Sequence, residues 1–338
     1  MTPQDLEARI VRYGDLRPCK TAFIDAHTPG SDQKENFTII GPGVSENPDQ
    51  YVHIARPHGF NVGGARQPPN CVNSQHSHET AEVFFVLGGK WRFVSGENGE
   101  DGEVFLSPGD TISIPTRCFR GFENVGETEG FLFAVLGGDD PGRVTWAPYV
   151  FQKASEFGLV LLENGNLVDT AAGEELPRDV PVMPTTSAAD VQSMRRFDSK
   201  ALEGCVIKHD QRAYIESLLG HGILEAPLLG LGAVEGLQDQ AKPSLSWAHG
   251  FQMRHLQLAP AAQSRPYASD YPEVLVVQRG RVSVVIRDRE ISLNVGDVLS
   301  LEVGATRVVA NNSAQPAEIF SIRGGDSTTL DLQAEGSS

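Results

Sequence analysis

The chain has 338 residues, enough for two ordinary domains that each bury a core. Forty per cent hydrophobic and 21% charged residues suit a folded globular chain, and no apolar run approaches the roughly 18 residues of a membrane helix. A formal net charge of −16 argues against nucleic acid or an anionic membrane as partner, because both demand a cationic face, yet it leaves a small anionic substrate open.

In chain order, the first twenty residues carry acids and no apolar h-region, so no secretory signal is expected. Cys19, Cys71, Cys118 and Cys205 are scattered without a CxxC pair, which suits a reducing cytoplasm. Short apolar runs between Gly-rich turns predict strands over EVFFVL (82–87), KWRFVS (90–95), EVFLS (103–107), TISIP (111–115) and GFLFAVL (130–136). Helical pieces are expected in 147–163 and 190–197, at the two ends of a polar, Pro-bearing linker over 169–199. Strands return at FQMRHLQL (251–258), EVLVVQ (273–278), RVSVVIR (281–287), REISLN (289–294), DVLSLE (297–302) and AEIFSI (317–322). The close spacing predicts an all-β chain of antiparallel sandwiches or barrels with short peripheral helices. The expected division is 1–168, linker 169–199, 200–326, and a flexible polar tail over 327–338.

The two strand groups are copies of one another. His58-Gly59-Phe60 recurs at His249-Gly250-Phe251, Glu82 and Gly89 match Glu273 and Gly280, and Gly109-Asp110 matches Gly296-Asp297. The register slips once, at the hairpin tip where SGENGEDGE is replaced by IRDRE, and such tips tolerate insertions that strands do not.

Within the first copy, His76 and His78 lie two apart, so on a strand both imidazoles face one side. Glu82 has the same parity but would lie roughly 13 Å further along a straight strand, so a shared ion requires the chain to turn between them. Two imidazoles and one carboxylate on a divalent ion leave open positions for substrate or dioxygen, the pattern of non-haem Fe(II) sites.

This segment resembles the first motif of the cupin superfamily, G(X)5HXH(X)3-4E(X)6G, with His76, His78, Glu82 and Gly89 in register and Asn70 in place of the leading glycine. The second motif, G(X)5PXG(X)2H(X)3N, matches at Gly109, Pro115 and Asn124, with Arg117 replacing its second glycine and Arg120 its metal-binding histidine. The whole resembles a bicupin, which implies two tandem jelly-roll-type cupin barrels. A guanidinium has no lone pair to give, so Arg120 is no ligand; it is expected as a substrate-orienting cation beside the metal, as a surface arginine, or as a structural pair of Glu82. Gln75 is a further candidate for holding a bound oxygen species, and His58, His53 and Glu123 are candidate extra ligands. In the second copy Tyr267 and Ser269 replace the histidines and Arg307 matches Arg120, so only Glu273 survives and that barrel is expected to be metal-free.

The resemblance, extended to gentisate-type ring-cleaving dioxygenases, implies an Fe(II) enzyme cleaving an aromatic or enolic small molecule with dioxygen. Mn, Ni or Zn are alternative ions for the same donors. The alternatives are a non-redox isomerase, lyase or hydrolase on a sugar or keto acid, and a ligand-binding bicupin that is not an enzyme. A homodimer or higher homo-oligomer is the expected assembly.

Overall fold

The computed structural model describes residues 3–232, 242–326 and 330–332. Two compact units account for it, one built from residues 17–55 and 61–209 and the other from 1–16, 56–60 and 210–338.

The first unit is a sandwich of two antiparallel sheets with one parallel edge pair. Its larger sheet runs, in spatial order, Val206–Ile207, Thr111–Ile114, Glu82–Gly88, Gly130–Gly137, Phe60–Gln67, Glu35–Ile40 and Val52–Ile54. Its smaller sheet runs Thr145–Trp146, Val72–Ser77, Arg120–Asn124, Trp91–Ser95 and Gly102–Leu106. Phe84, Phe93 and Phe122 meet between the sheets at centroid distances of 5.2–5.4 Å. Phe105, on the strand Gly102–Leu106, is 54% exposed and stands on the outer side.

The second unit repeats this plan. Its seven-stranded sheet runs Ile10–Val11, Val298–Leu301, Glu273–Arg279, Ala317–Gly324, Phe251–Leu258, Ile223–Leu229 and Ile215–Glu216. Its five-stranded sheet runs Arg289–Asn294, Arg281–Ile286, Arg307–Ala310, Tyr267–Ser269 and Leu330–Leu332. Two tandem jelly-roll barrels are therefore present.

Three expectations change in detail. The helix expected over 147–163 spans Pro148–Glu156 only, because Gly158 takes φ +85° and Leu159–Leu161 then pairs with Leu167–Asp169 as a hairpin. Part of the tail expected to be flexible, Leu330–Leu332, pairs with Tyr267–Ser269; residues 327–329 and 333–338 lie outside the described residues. The opening residues, expected with the first barrel, form a strand of the second: Ile10 and Val11 pair with Leu299 and Val298. The reciprocal also holds, since Val206 and Ile207 pair with Ile112 and Thr111 of the first unit.

The matched Gly-Asp dipeptides explain this exchange. Asp110 accepts from the His209 backbone N–H at 2.8 Å, and Asp297 accepts from that of Tyr13 at 3.0 Å. A Cβ on Gly109 would meet His209 at 2.7 Å, and one on Gly296 would meet Tyr13 at 2.6 Å, so each glycine makes room for the arm its neighbouring aspartate holds.

Candidate metal centre

His76 and His78 sit at the end of the smaller sheet of the first unit, where Val72–Ser77 gives way to a bend at Glu79 and Thr80. Glu82 then opens a strand of the larger sheet, paired with Ile114 on one side and Leu136 on the other. The chain thus crosses between sheets, and donors that a straight strand would separate converge on the barrel interior. Nitrogen and oxygen donor atoms of His76, His78 and Glu82 all lie within 4.8 Å of one another, with His78 Nε2 3.7 Å from Glu82 Oε1. The two residues replacing motif glycines near this turn, Asn70 and Arg117, hold left-handed φ values of 63° and 56°, the conformation for which glycine is usual.

His76 Nδ1 lies 2.7 Å from the Ser74 carbonyl and 3.3 Å from Asn73 Nδ2. The shorter contact needs a proton on Nδ1, which leaves the Nε2 lone pair free for a metal. Burial, reinforced by the Arg120 charge, pushes both imidazoles well below the usual histidine range, so they stay neutral and able to ligate. Burial also raises the Glu82 carboxyl, against the pull of Arg120. Two neutral imidazoles and a carboxylate in one small cluster fit a divalent ion.

Arg120 is 1% exposed and points inward. It lies opposite His76 in the sheet register, donates through Nη1 to the His76 carbonyl at 2.9 Å, and pairs through Nη2 with Glu82 Oε2. It does not line the cavity in front of the donors. Its position corrects the idea of a substrate-orienting cation: it braces the carboxylate.

That cavity holds about 70 Å³ and is lined by His76, His78 and Glu82, by the amides Asn36, Asn61 and Asn73, and by Phe23, Phe37, Phe84 and Phe122. Among the described residues no lysine or arginine lines it.

Sequence reasoning missed the support beneath His76. Lys34 and Asp25, both fully buried, form an ion pair; Lys34 Nζ donates to Asn73 Oδ1 at 3.1 Å and Asp25 Oδ2 accepts from the Ser74 N–H at 3.0 Å. The pair fixes the backbone that carries the His76 proton acceptor. A lysine and an aspartate in a turn-rich stretch gave no signal of this, because their partners lie some forty or more positions away.

Other candidates lie elsewhere. Gln75, of opposite parity, accepts from Tyr149 Oη at 3.3 Å and does not line the cavity. His53 binds the Thr38 carbonyl at 2.8 Å through Nδ1 and accepts from the Arg17 N–H at 3.1 Å through Nε2. His58 belongs to the other unit, where Nδ1 meets the Arg56 carbonyl at 2.7 Å and Nε2 meets Ser300 Oγ at 2.7 Å. Glu123 pairs with Arg92 at 3.6 Å. Cys118 is buried, which raises its thiol to about 11 and leaves it un-ionised.

In the second unit the same positions hold an ionic cluster. Arg307 pairs with Glu273 Oε2 as Arg120 does with Glu82, and Arg323 Nε donates to Oε1 at 2.7 Å, with Ser321 Oγ at 2.5 Å. Tyr267 Oη donates to Oε2 at 3.4 Å, and the Arg307 guanidinium lies 4.5 Å from the Tyr267 ring centroid. Burial opposes ionisation of Glu273, but Arg323 and Arg307 outweigh it and hold the carboxyl at about 2. Guanidinium groups occupy the surroundings of the carboxylate that imidazoles share in the first unit.

Comparison with known proteins agrees with this architecture. The Cupin domain family matches residues 65–136, which contain the whole donor set. Germin-like protein subfamily 1 member 4 of Arabidopsis thaliana is 32% identical over 145 residues, covering 40% of this chain and 63% of the relative; member 5 is 33% identical and covered to 62%. The match thus spans less than two thirds of these relatives. Among solved structures, oxalate decarboxylase of Lactobacillus farciminis in its formate complex aligns over 96% of this chain and 88% of its own, with a TM-score of 0.57 at 11% identity. Procruciferin, an 11S globulin of Brassica napus, aligns over 94% and 86%, with a TM-score of 0.55 at 13% identity. At such identities these two likenesses speak for the fold. Among the described residues no helix is long and apolar enough to cross a membrane.

Proposed function

We propose that the first barrel, which contains the segment matching the Cupin domain family, is a metal-dependent enzyme site, with one divalent ion on His76, His78 and Glu82. The reaction we propose is dioxygen-dependent cleavage of a small enolic or 2-oxo substrate, with Fe(II) as the favoured ion. The observation that carries this reading is the three-donor set: the fourth motif position is Arg120, which bonds the carboxylate and offers no lone pair. A divalent ion so held supplies Lewis acidity and open coordination positions for substrate and dioxygen.

The chain's own residues do the rest. Ser74 holds the His76 proton on Nδ1, and Asp25 and Lys34 fix the Ser74 backbone and Asn73. Arg120 sets the Glu82 carboxylate and keeps it ionisable in a buried site. The phenyl rings exclude water, which strengthens every charge interaction inside. The free volume of about 70 Å³ beside the donors suits a small substrate.

The cavity's size also favours a second reading, a lyase acting on a short carboxylate without net dioxygen use. Metal analysis combined with an oxygen electrode separates the two. The expected result is near one equivalent of metal per chain and dioxygen uptake with acetylacetone or small 2-oxo acids, both lost in His76→Ala. Carbon dioxide release from oxalate without dioxygen uptake would move the reaction to the lyase class, and a parent without metal affinity would overturn the site itself.

A further inference from the structure

The strand Glu35–Ile40 brings Asn36 into the wall of the cavity. Its backbone is satisfied, since Asn36 N–H donates to the Cys19 carbonyl at 3.1 Å and its own carbonyl accepts from Cys19 at 2.8 Å. Its side chain is not: the residue is 7% exposed, and Nδ2 is buried with no hydrogen-bond partner among the described residues. A buried amide donor left without an acceptor is costly, and native chains rarely keep one unless something else fills it. Asn73, also in the wall, is fixed through its amide oxygen, which accepts from Lys34 at 3.1 Å, while its nitrogen lies against the protonated His76 Nδ1. Asn61 is held likewise, between the Gly43 N–H and the Gly138 carbonyl. Asn36 is an amide of this wall whose buried donor has no group in hydrogen-bond range among the described residues.

The wall lacks cationic side chains. The nearest ammonium, that of Lys34, is taken by Asp25 and Asn73, and the guanidinium of Arg120 is taken by Glu82 and the His76 carbonyl. Any negative charge on a substrate must therefore sit at its metal-binding end, because a second carboxylate among the phenyl rings would be buried without a partner.

We propose that Asn36 is the specificity-determining residue of the cavity, and that the substrate carries an uncharged oxygen acceptor, a hydroxyl or carbonyl, beyond its metal-binding end. The inference rests on the metal-site reading above, and the experiment keeps the two apart. The probes are 2-oxobutyrate, with an apolar tail, 3-hydroxypyruvate, with a hydroxyl there, and oxaloacetate, with a carboxylate. The metal-loaded parent binds 3-hydroxypyruvate about tenfold more tightly than 2-oxobutyrate and oxaloacetate least tightly, the ratio one hydrogen bond supplies. Asn36→Leu abolishes the ratio while keeping its metal and its affinity for 2-oxobutyrate; the near-isosteric Asn36→Asp abolishes it too, should the leucine variant fold poorly. Without metal, Asn36→Leu melts about 2–4 °C higher than the parent, because an unfilled buried donor is removed. A preference that survives both substitutions, or tightest binding of oxaloacetate, overturns the proposal. If the parent takes up no metal, the reading beneath falls, and the metal-free melting comparison still decides: a lower Tm in Asn36→Leu shows that the amide serves the fold.

Discussion

Arg120 holds the Glu82 carboxylate with one guanidinium nitrogen and the His76 carbonyl with another, so a single side chain sets two of the three donor residues. Arg120→Met removes this brace and leaves a buried carboxylate without its countercharge. We expect a loss of about 3–5 kcal/mol in unfolding free energy, the cost of breaking a buried pair from one side. Metal affinity at neutral pH falls with it, because Glu82, already raised by burial, rises further once Arg120 is gone. Denaturant unfolding and metal titration on the same variant check both.

Metal uptake near pH 6 should release no proton from the two imidazoles. Ordinary histidines are half protonated near 6.5, whereas His76 and His78 lie well below it and are neutral before the ion arrives. Any proton that is released comes from Glu82, whose carboxyl burial raises against the pull of Arg120. Calorimetry in buffers of different ionisation enthalpy counts it.

Lys34→Met isolates Asp25 in a fully buried position, and a loss of about 3–5 kcal/mol is expected. The double variant Asp25→Leu, Lys34→Met removes both charges and should recover much of that loss. Its metal affinity should stay roughly 10–100-fold below the parent, since the support for Ser74 and Asn73 is gone. Recovery of stability without recovery of metal binding distinguishes a supporting role at the site from a purely structural one.

Glu273 gives the opposite profile in the second barrel. Its folded value of about 2 lies below the unfolded 4.5, so its stabilisation is present above 4.5 and is lost as pH falls towards 2. The shift corresponds to about 3 kcal/mol. Glu273→Gln leaves Arg307 and Arg323 without their shared carboxylate and should cost about 3–5 kcal/mol at pH 7 while metal content stays unchanged.

Glu46 contributes with the reverse sign. Burial raises its carboxyl to about 8, although Trp146 Nε1 and the Ile24 N–H donate to it at 2.6 and 2.8 Å. The folded chain therefore retains a proton that the unfolded chain releases, and stability declines from pH 4.5 to 8 by up to about 1.4 kcal/mol per unit. Glu46→Gln should remove this slope, at a uniform cost of about 1–3 kcal/mol because its amide faces the Ile24 N–H. Unfolding curves across that range for parent and variant give the difference directly.

What the sequence disclosed follows from distance along the chain. His76, His78 and Glu82 fall within seven positions, so strand parity and one bend suffice to bring them together. Pairing of Arg120 with Glu82 was one of the roles legible in the sequence, but the choice among them depends on its register against His76. Asn36 and the Asp25–Lys34 pair were invisible, since the sheet and buried hydrogen bonds, not spacing, carry them to the cavity. His58 misled for the complementary reason: near the motif in sequence, it folds with Ser300. The duplication itself was readable because aligned strands keep their glycines and acids, as Gly109-Asp110 and Gly296-Asp297 do for a shared structural task.

The crossed arms bear on how the chain is made. Residues 10–11 leave the ribosome long before their pairing strand, Val298–Leu301. The first barrel, by contrast, needs only Val206–Ile207, which follow its other strands closely. The first barrel can therefore close during synthesis while the arm at residues 10–11 waits unpaired until Val298–Leu301 is made. A fragment cut in the linker would carry the second barrel without its outer strand, exposing Val298 and Leu299 as an open edge prone to self-association.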